Sequence, residues 1–250
     1  MNDRAFEHYD EHYRRLTAYR RSKVLTVPEL ARDRAPRWLH RLPKDAHILD
    51  YGCADGYMLW VLHTLGYHNL VGADISESVL RHARTRLAGT SVELRDITSD
   101  SLDDCAGRFD AIIMHQVLEH IPREETVPTL TRLYELSKPG GLISVAVPNA
   151  ASLLGEFNFA VDFTHKVSFT EYSLEQVLEL SGFERAEIVF HRPKLFASFR
   201  NPLRMGKRFL NRVRYSLNSG LHYAMYILRD ERLMPRCFES NLELVAFRPE

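Results

Sequence analysis

The sequence predicts a doubly wound α/β fold built on a seven-stranded, mostly parallel sheet. Three observations carry that expectation. Short apolar runs alternate with amphipathic helical stretches from residue 45 onward. A small-residue loop, Asp50-Tyr-Gly52-Cys-Ala54-Asp-Gly56, joins the first run to the first helix. Acidic residues also close the first three runs, at Asp50, Asp74 and Asp96.

The elements follow in order. Residues 1–44 are polar and aromatic, with Phe6, Tyr9, Tyr13, Leu16 and Tyr19 near helical spacing, and a second helix is expected over 28–40 because Pro28 suits a first helical turn. They read as an N-terminal helical lid. Residues 47–50 form the first strand, and Met58, Val61, Leu62 and Leu65 make one helical face closed by Gly66. A strand at 70–73 leads to a helix begun by Ser76, with Val79, Leu80, Ala83 and Leu87 inward. Strands are expected at 91–95, 109–114 and 142–147, and the helix through Val127, Leu130 and Leu133 stops before Pro139-Gly140-Gly141. Ser173-Leu-Glu-Gln176 reads as a capping box opening a helix that ends at Gly182. Alternation over 185–191 and 241–247 supplies the last two strands. The main domain is expected over 45–250, carrying a basic helical insertion at 192–236 before the last strand.

Composition narrows the class. The 250 residues hold 33 basic and 33 acidic side chains, so bulk charge names no partner. Cys53, Cys105 and Cys237 are far apart and suggest no disulfide framework. The charged N-terminus lacks the apolar core of a signal peptide, and no apolar run reaches the roughly 20 residues a membrane span needs. The expected location is cytoplasmic, or peripheral to the inner face of the membrane.

The loop at Asp50–Gly56 lets backbone amides approach a ligand closely at a helix N-terminus. A nicotinamide dinucleotide is the natural competitor, but its fingerprint needs glycine at Tyr57, and Asp55 adds negative charge beside a would-be pyrophosphate. A phosphate-free, partly cationic ligand fits better, and S-adenosylmethionine is one. Asp74 stands 22 residues beyond Gly52, where a carboxylate can accept both ribose hydroxyl protons. Asp96 is placed for an adenine amino group, with Ile97 against the ring. Each aspartate alone would be a cap or a turn residue. Three at successive strand ends mark the edge where open α/β sheets bind ligands.

Ile48–Gly56, Gly72-Ala-Asp74, Leu94-Arg-Asp96, the run from Phe109 to Ile121 and Leu136-Ser-Lys-Pro-Gly-Gly141 resemble the ordered motifs of class I S-adenosylmethionine-dependent methyltransferases. The resemblance covers Asp45 to Asn149 and the terminal strands. It implies a Rossmann-like fold and S-adenosyl-L-methionine as cofactor. Asp50, Gly52, Ala54 and Gly56 would then lie near the cofactor's methionine end, Asp74 and Ile75 at ribose, and Asp96 and Ile97 at adenine. His115 and Gln116, which follow strand four, complete the cofactor edge. Ala54 stands where many relatives carry glycine.

Methyl transfer needs alignment of nucleophile, methyl carbon and sulfur, and a proton acceptor when the nucleophile is a hydroxyl. Candidates must follow strands four and five: Glu119, His120 and His165, with His165 as general base or substrate contact. No metal is expected. The alternative is that Glu119, His120 and His165 hold a divalent ion, because they resemble part of the metal site of small-RNA 2′-O-methyltransferases. There a Glu-x-x-Glu-His run does so, and here Gln116 replaces the first acid.

The run Asp162-Phe-Thr-His-Lys-Val-Ser-Phe-Thr170 is similar to a subgroup frequent among bacterial sugar and polysaccharide methyltransferases. The expected activity is therefore O-methylation of a sugar or glycan-type acceptor in polysaccharide biosynthesis. Alternatives are a quinone-like or natural-product acceptor, an RNA 2′-hydroxyl, or a catalytically silent relative that binds cofactor or a partner. From Arg192 to Arg229 the chain has nine Lys or Arg and no Asp or Glu, interleaved with aliphatics. An anionic membrane surface, an anionic substrate and a second copy of the chain in a homodimer are its candidate partners; nucleic acid is not expected, since the charges are mixed with aliphatics more than with stacking aromatics.

Overall fold

A computed structural model describes residues 31, 34–98, 102–191, 202–228 and 233–250, without the side chains of 202–208, 211 and 214. The strands are β1 (Ile48–Tyr51), β2 (Leu70–Asp74), β3 (Glu93–Asp96), β4 (Phe109–His115), β5 (Ser137–Pro148), β6 (Glu184–Ile188) and β7 (Asn241–Phe247). The longer helices are α1 (Tyr57–Thr64), α2 (Glu77–Arg86), α3 (Arg123–Leu136), α4 (Gly155–Ala160), α5 (Glu171–Leu180) and α6 (Pro202–Leu228). They surround one seven-stranded sheet ordered β3-β2-β1-β4-β5-β7-β6. β1 to β5 run parallel, and β7 lies antiparallel between β5 and β6. The expected fold class is the one observed.

Alternation along the strands divides the core. Leu49, Ile112, Met114, Ile143 and Val145 pack on one face with α3 and α5, while Ile48, Ala111, Ile113 and Leu142 pack on the other with α1 and α2. Strands covered on both faces are apolar at nearly every position, which is why β4 reads as a continuous run. Gly72 shows how closely α1 approaches the sheet: a β-carbon there would lie 2.4 Å from Leu59 Cδ1 and 2.8 Å from Leu94 Cδ2. Gly72→Ala is therefore expected to destabilise the fold by about 1–3 kcal/mol, the usual cost of overpacking, seen as a lower urea midpoint at unchanged slope.

Several boundaries differ from the sequence reading. The helix expected over 28–40 does not persist: Ala35–Pro36 interrupts it, and Arg37–Arg41 forms a short 3-10 turn. A proline fixes its own φ and disfavours helix in the residue before it. The rest of the expected lid lies outside the described residues. β5 begins at Ser137, earlier than expected, and takes in Pro139-Gly140-Gly141. The capping box is Thr170 with Ser173 rather than Ser173 with Gln176: Thr170 Oγ1 accepts from the Ser173 amide at 3.4 Å, and Ser173 Oγ from the Thr170 amide at 3.0 Å. The hydroxyl three residues on reaches back as well as a glutamine would.

Candidate active site

The parallel strands end together, and the loop after each supplies part of one edge. Gly52 and Gly56 have φ of 81° and 73°, a left-handed backbone that glycine adopts without strain. The amides of Gly52 and Cys53 both donate to the Ala73 carbonyl, at 2.7 and 3.0 Å, so the loop folds back onto β2. Ala54 is also left-handed, with φ of 46°. Its amide donates to Asp74 Oδ2 at 2.9 Å, and the Ser76 amide to Asp74 Oδ1 at 2.9 Å. Asp74 thus ties the first loop to the second. One step along, Asp96 Oδ1 accepts from the amide and hydroxyl of Thr98 at 2.9 and 2.6 Å. Asp74 and Asp96 are register partners, as are Asp50 and Gly72. Ile75 stands 45% exposed at this edge, while Ile97 packs partly against the core.

Asp50 is buried. Desolvation, and then the charge of Asp74, push its carboxyl up to about 7. A site that holds a carboxylate near half-protonation, with more acids beside it, favours a ligand bearing positive charge. Gly52 also leaves room for the β4 loop: a β-carbon there would sit 2.2 Å from Val117 Cγ2. Loop one and the segment carrying Glu119 and His120 are therefore in contact.

At the end of β4, Gln116 is exposed with φ of 57°, and His115 turns inward to a network absent from the sequence reading. His115 Nε2 lies 2.9 Å from Ser144 Oγ, and Ser144 donates to Glu243 Oε1 at 2.8 Å. The Trp38 indole N–H donates to the same oxygen at 2.9 Å, and His191 Nε2 to the other at 2.5 Å. Burial raises the Glu243 carboxyl, but the His191 hydrogen bond and His115 outweigh it and leave it lowered. Since the ionised Glu243 only accepts, Ser144 spends its hydrogen there and must accept from His115 Nε2–H, which leaves the lone pair on Nδ1. One signal was available: Glu243 is a charge at an inward position of an otherwise apolar strand.

The second cluster lies in the 3-10 turn Leu118–His120 and the loop after α4. Amides of Lys166 and Val167 donate to the Glu119 carbonyl at 2.7 and 3.1 Å, drawing His165 onto the turn. The Glu119 carboxyl is 1% exposed, neither oxygen has a hydrogen-bond partner, and burial raises it to about 8. His165 Nε2 is 4.0 Å from Glu119 Oε1, and its Nδ1–H donates to the Phe159 carbonyl at 2.7 Å. His120 Nδ1 meets Thr164 Oγ1 at 2.8 Å, and that hydroxyl donates to Asp162 at 2.7 Å. Both Nδ1 positions are therefore donors, and the lone pairs are on Nε2. Burial, and then His165, lower the His120 ring to about 4, so it is neutral. Among the described residues, Glu119, His120 and His165 are the only His/Cys/Asp/Glu group compact enough to hold a metal, with ligand atoms within 4.8 Å of one another.

Every residue expected at the cofactor edge or in catalysis lies at the C-terminal ends of β1 to β4 or in the segments that follow β1 to β5. The fold is matched by known proteins. A family model described as a methyltransferase domain matches residues 20–188. The chain belongs to that family. Its fold is shared by a S-adenosylmethionine-dependent methyltransferase of Archaeoglobus fulgidus, 22% identical, at a TM-score of 0.62 over 88% of this chain and 94% of that one. It is shared too by the 1,6-didemethyltoxoflavin-N1-methyltransferase of Burkholderia thailandensis with bound S-adenosylhomocysteine, 14% identical, TM-score 0.57, covering 98% and 87%. Among curated family members, the ubiquinone biosynthesis O-methyltransferase of Rhizobium johnstonii is 33% identical over 126 residues, 47% of this chain and 50% of that protein. That of Sinorhizobium fredii is 32% identical over 135 residues, 53% and 51%. The chain spans about half the length of the curated relatives it matches.

Proposed function

We propose that this chain transfers a methyl group from S-adenosylmethionine to a hydroxyl of a quinone-like small molecule. The observation that carries the methyl-transfer reading is the row of Asp50, Asp74 and Asp96 at three adjacent strand ends around a loop that tolerates no β-carbon at Gly52. The names of the curated relatives favour a quinone-like acceptor over the sugar or glycan acceptor expected from the sequence.

S-adenosylmethionine supplies the methyl group on a sulfonium, already a good leaving group. Asp74 would take the ribose hydroxyls with the acceptor capacity its two amide bonds leave, and Asp96 the adenine amino group, with Ile97 against the ring. Asp50, with the Gly52–Gly56 loop and Gln116, would face the cationic methionine end, while the His115 ring is turned to Ser144 instead. His165 accepts the acceptor's proton through Nε2, in a pocket that Glu119 and His120 wall without charge at neutral pH.

The test is transfer of a radiolabelled methyl group to a panel of phenols and hydroquinones, simple and oligomeric sugars, and short RNA. Label on a phenolic oxygen is expected. Label on saccharides alone would restore the sugar reading, and cofactor binding without transfer to anything would mark a silent relative.

Asp50 adds a pH dependence. A cation beside it favours the ionised form, so below about pH 7 binding must expel a proton. S-adenosylhomocysteine affinity is expected to fall as pH drops from 8 to 6, by up to about tenfold per unit below the carboxyl's own value. Calorimetry in buffers of different ionisation enthalpy counts the released protons, and Asp50→Asn should flatten the profile. A profile equally steep in Asp50→Asn would assign the proton elsewhere.

A further inference from the structure

The 27-residue helix α6 is not used by the site described above. It stays on the body through one line of residues. His222 is 2% exposed with its ring 4.7 Å from that of Phe238, Tyr226 lies tilted to the same ring at 6.2 Å, and Asn218 Nδ2 donates to the Phe238 carbonyl at 3.5 Å. At about 100° per residue these positions span roughly 80° of the helix.

A second line faces away from the body. Phe209, Leu210, Val213, Leu217, Leu221 and Leu228 recur at helical spacing within an arc of about 120°. Leu217, Phe209 and Leu228 are 68%, 61% and 85% exposed. A water-facing helix does not ordinarily keep an unbroken apolar line on its far side. Lys207 and Arg214 follow one border of this line by position on the helix, and Arg212 lies beyond the other. No Asp or Glu occurs anywhere from Arg192 to Arg229, so no internal partner along the segment neutralises these cations. No helix among the described residues is long and apolar enough to cross a membrane. An apolar line about 30 Å long, bordered by cations and held off the body, has the chemistry of a helix lying in the plane of a lipid surface.

We propose that α6 docks this chain on an anionic lipid surface, with the apolar line in the acyl boundary and its basic borders at the headgroups. The absence of acidic residues selects this occupant: a second copy of the same helix would bring basic borders against basic borders.

The experiment uses the full chain with vesicles of phosphatidylcholine alone or mixed with phosphatidylglycerol. Wild type is expected to co-sediment with the anionic vesicles at low salt and to be partly released as ionic strength rises. Two variants separate the contributions: Lys207→Gln/Arg212→Gln/Arg214→Gln, and Leu217→Ser/Leu221→Ser/Leu228→Ser. Each should lower partitioning at least about tenfold, since several cations near an anionic leaflet act together, while thermal melting confirms that the body stays folded. Equal binding of wild type and both variants would overturn the proposal, as would equal binding to neutral and anionic vesicles. A dimer abolished by the leucine substitutions, with no vesicle binding by wild type, would assign the line to a second copy instead.

Discussion

His165→Ala and His165→Gln are each expected to lower turnover by about a hundred- to ten-thousand-fold, the range a positioned proton acceptor contributes. The expectation rests on the ring's surroundings. Phe159's carbonyl takes the Nδ1 hydrogen, so Nε2 keeps its lone pair, and the buried Glu119 beside it carries its proton at neutral pH. A glutamine restores shape and a hydrogen bond but no basicity, so it should be no better than alanine. The same three side chains could instead hold a cation, because Glu119's oxygens have no hydrogen-bond partner and both rings carry their lone pairs on Nε2. Chelation separates the two chemistries. On the proton-acceptor reading, activity survives exhaustive chelator treatment; abolition by chelator and rescue by added magnesium or manganese would replace that reading with a metal-dependent one.

Asp74→Ala is expected to weaken S-adenosylhomocysteine binding at least about tenfold. A hydrogen bond to a charged group is worth roughly 1.5–3 kcal/mol, and 1.4 kcal/mol is one decade in affinity. Two ribose hydroxyls are at stake, and the structure adds a further cost. The same carboxylate holds the amides of Ala54 and Ser76, so its loss also releases the first loop from the second. Ala54 holds a left-handed backbone that costs an ordinary residue about 1–2 kcal/mol, and the bond to Asp74 helps keep it there. Asp74→Asn should fall between wild type and alanine, because one amide oxygen can still serve one donor. Unchanged affinity in a variant that melts cooperatively would remove Asp74 from the cofactor site.

Much of this molecule was legible in the chain itself. Strand and helix periodicities are local, and chain order along parallel strands brings their ends to one edge, so the sequence alone places Asp50, Asp74 and Asp96 together. The positive φ of Gly52 and Gly56 belongs to the same local logic. The residues that resisted prediction act through contacts between distant segments. Glu243 is joined to Trp38, Ser144, His191 and, through Ser144, His115 across as many as 205 positions, and no spacing rule reaches that far. His165 could be named as a candidate, but its tautomer depends on the Phe159 carbonyl, and its closeness to Glu119 depends on the amides of Lys166 and Val167. The basic, acid-free character of residues 192–229 is a property of composition. Only the packing of His222 and Tyr226 on Phe238 decided which side of α6 faces the body and which apolar line faces out. Sequence by itself determined the types of side chain and their local period. Tertiary structure decided which were buried together, and with that their protonation and chemistry, because desolvation and partner geometry exist only once distant segments meet.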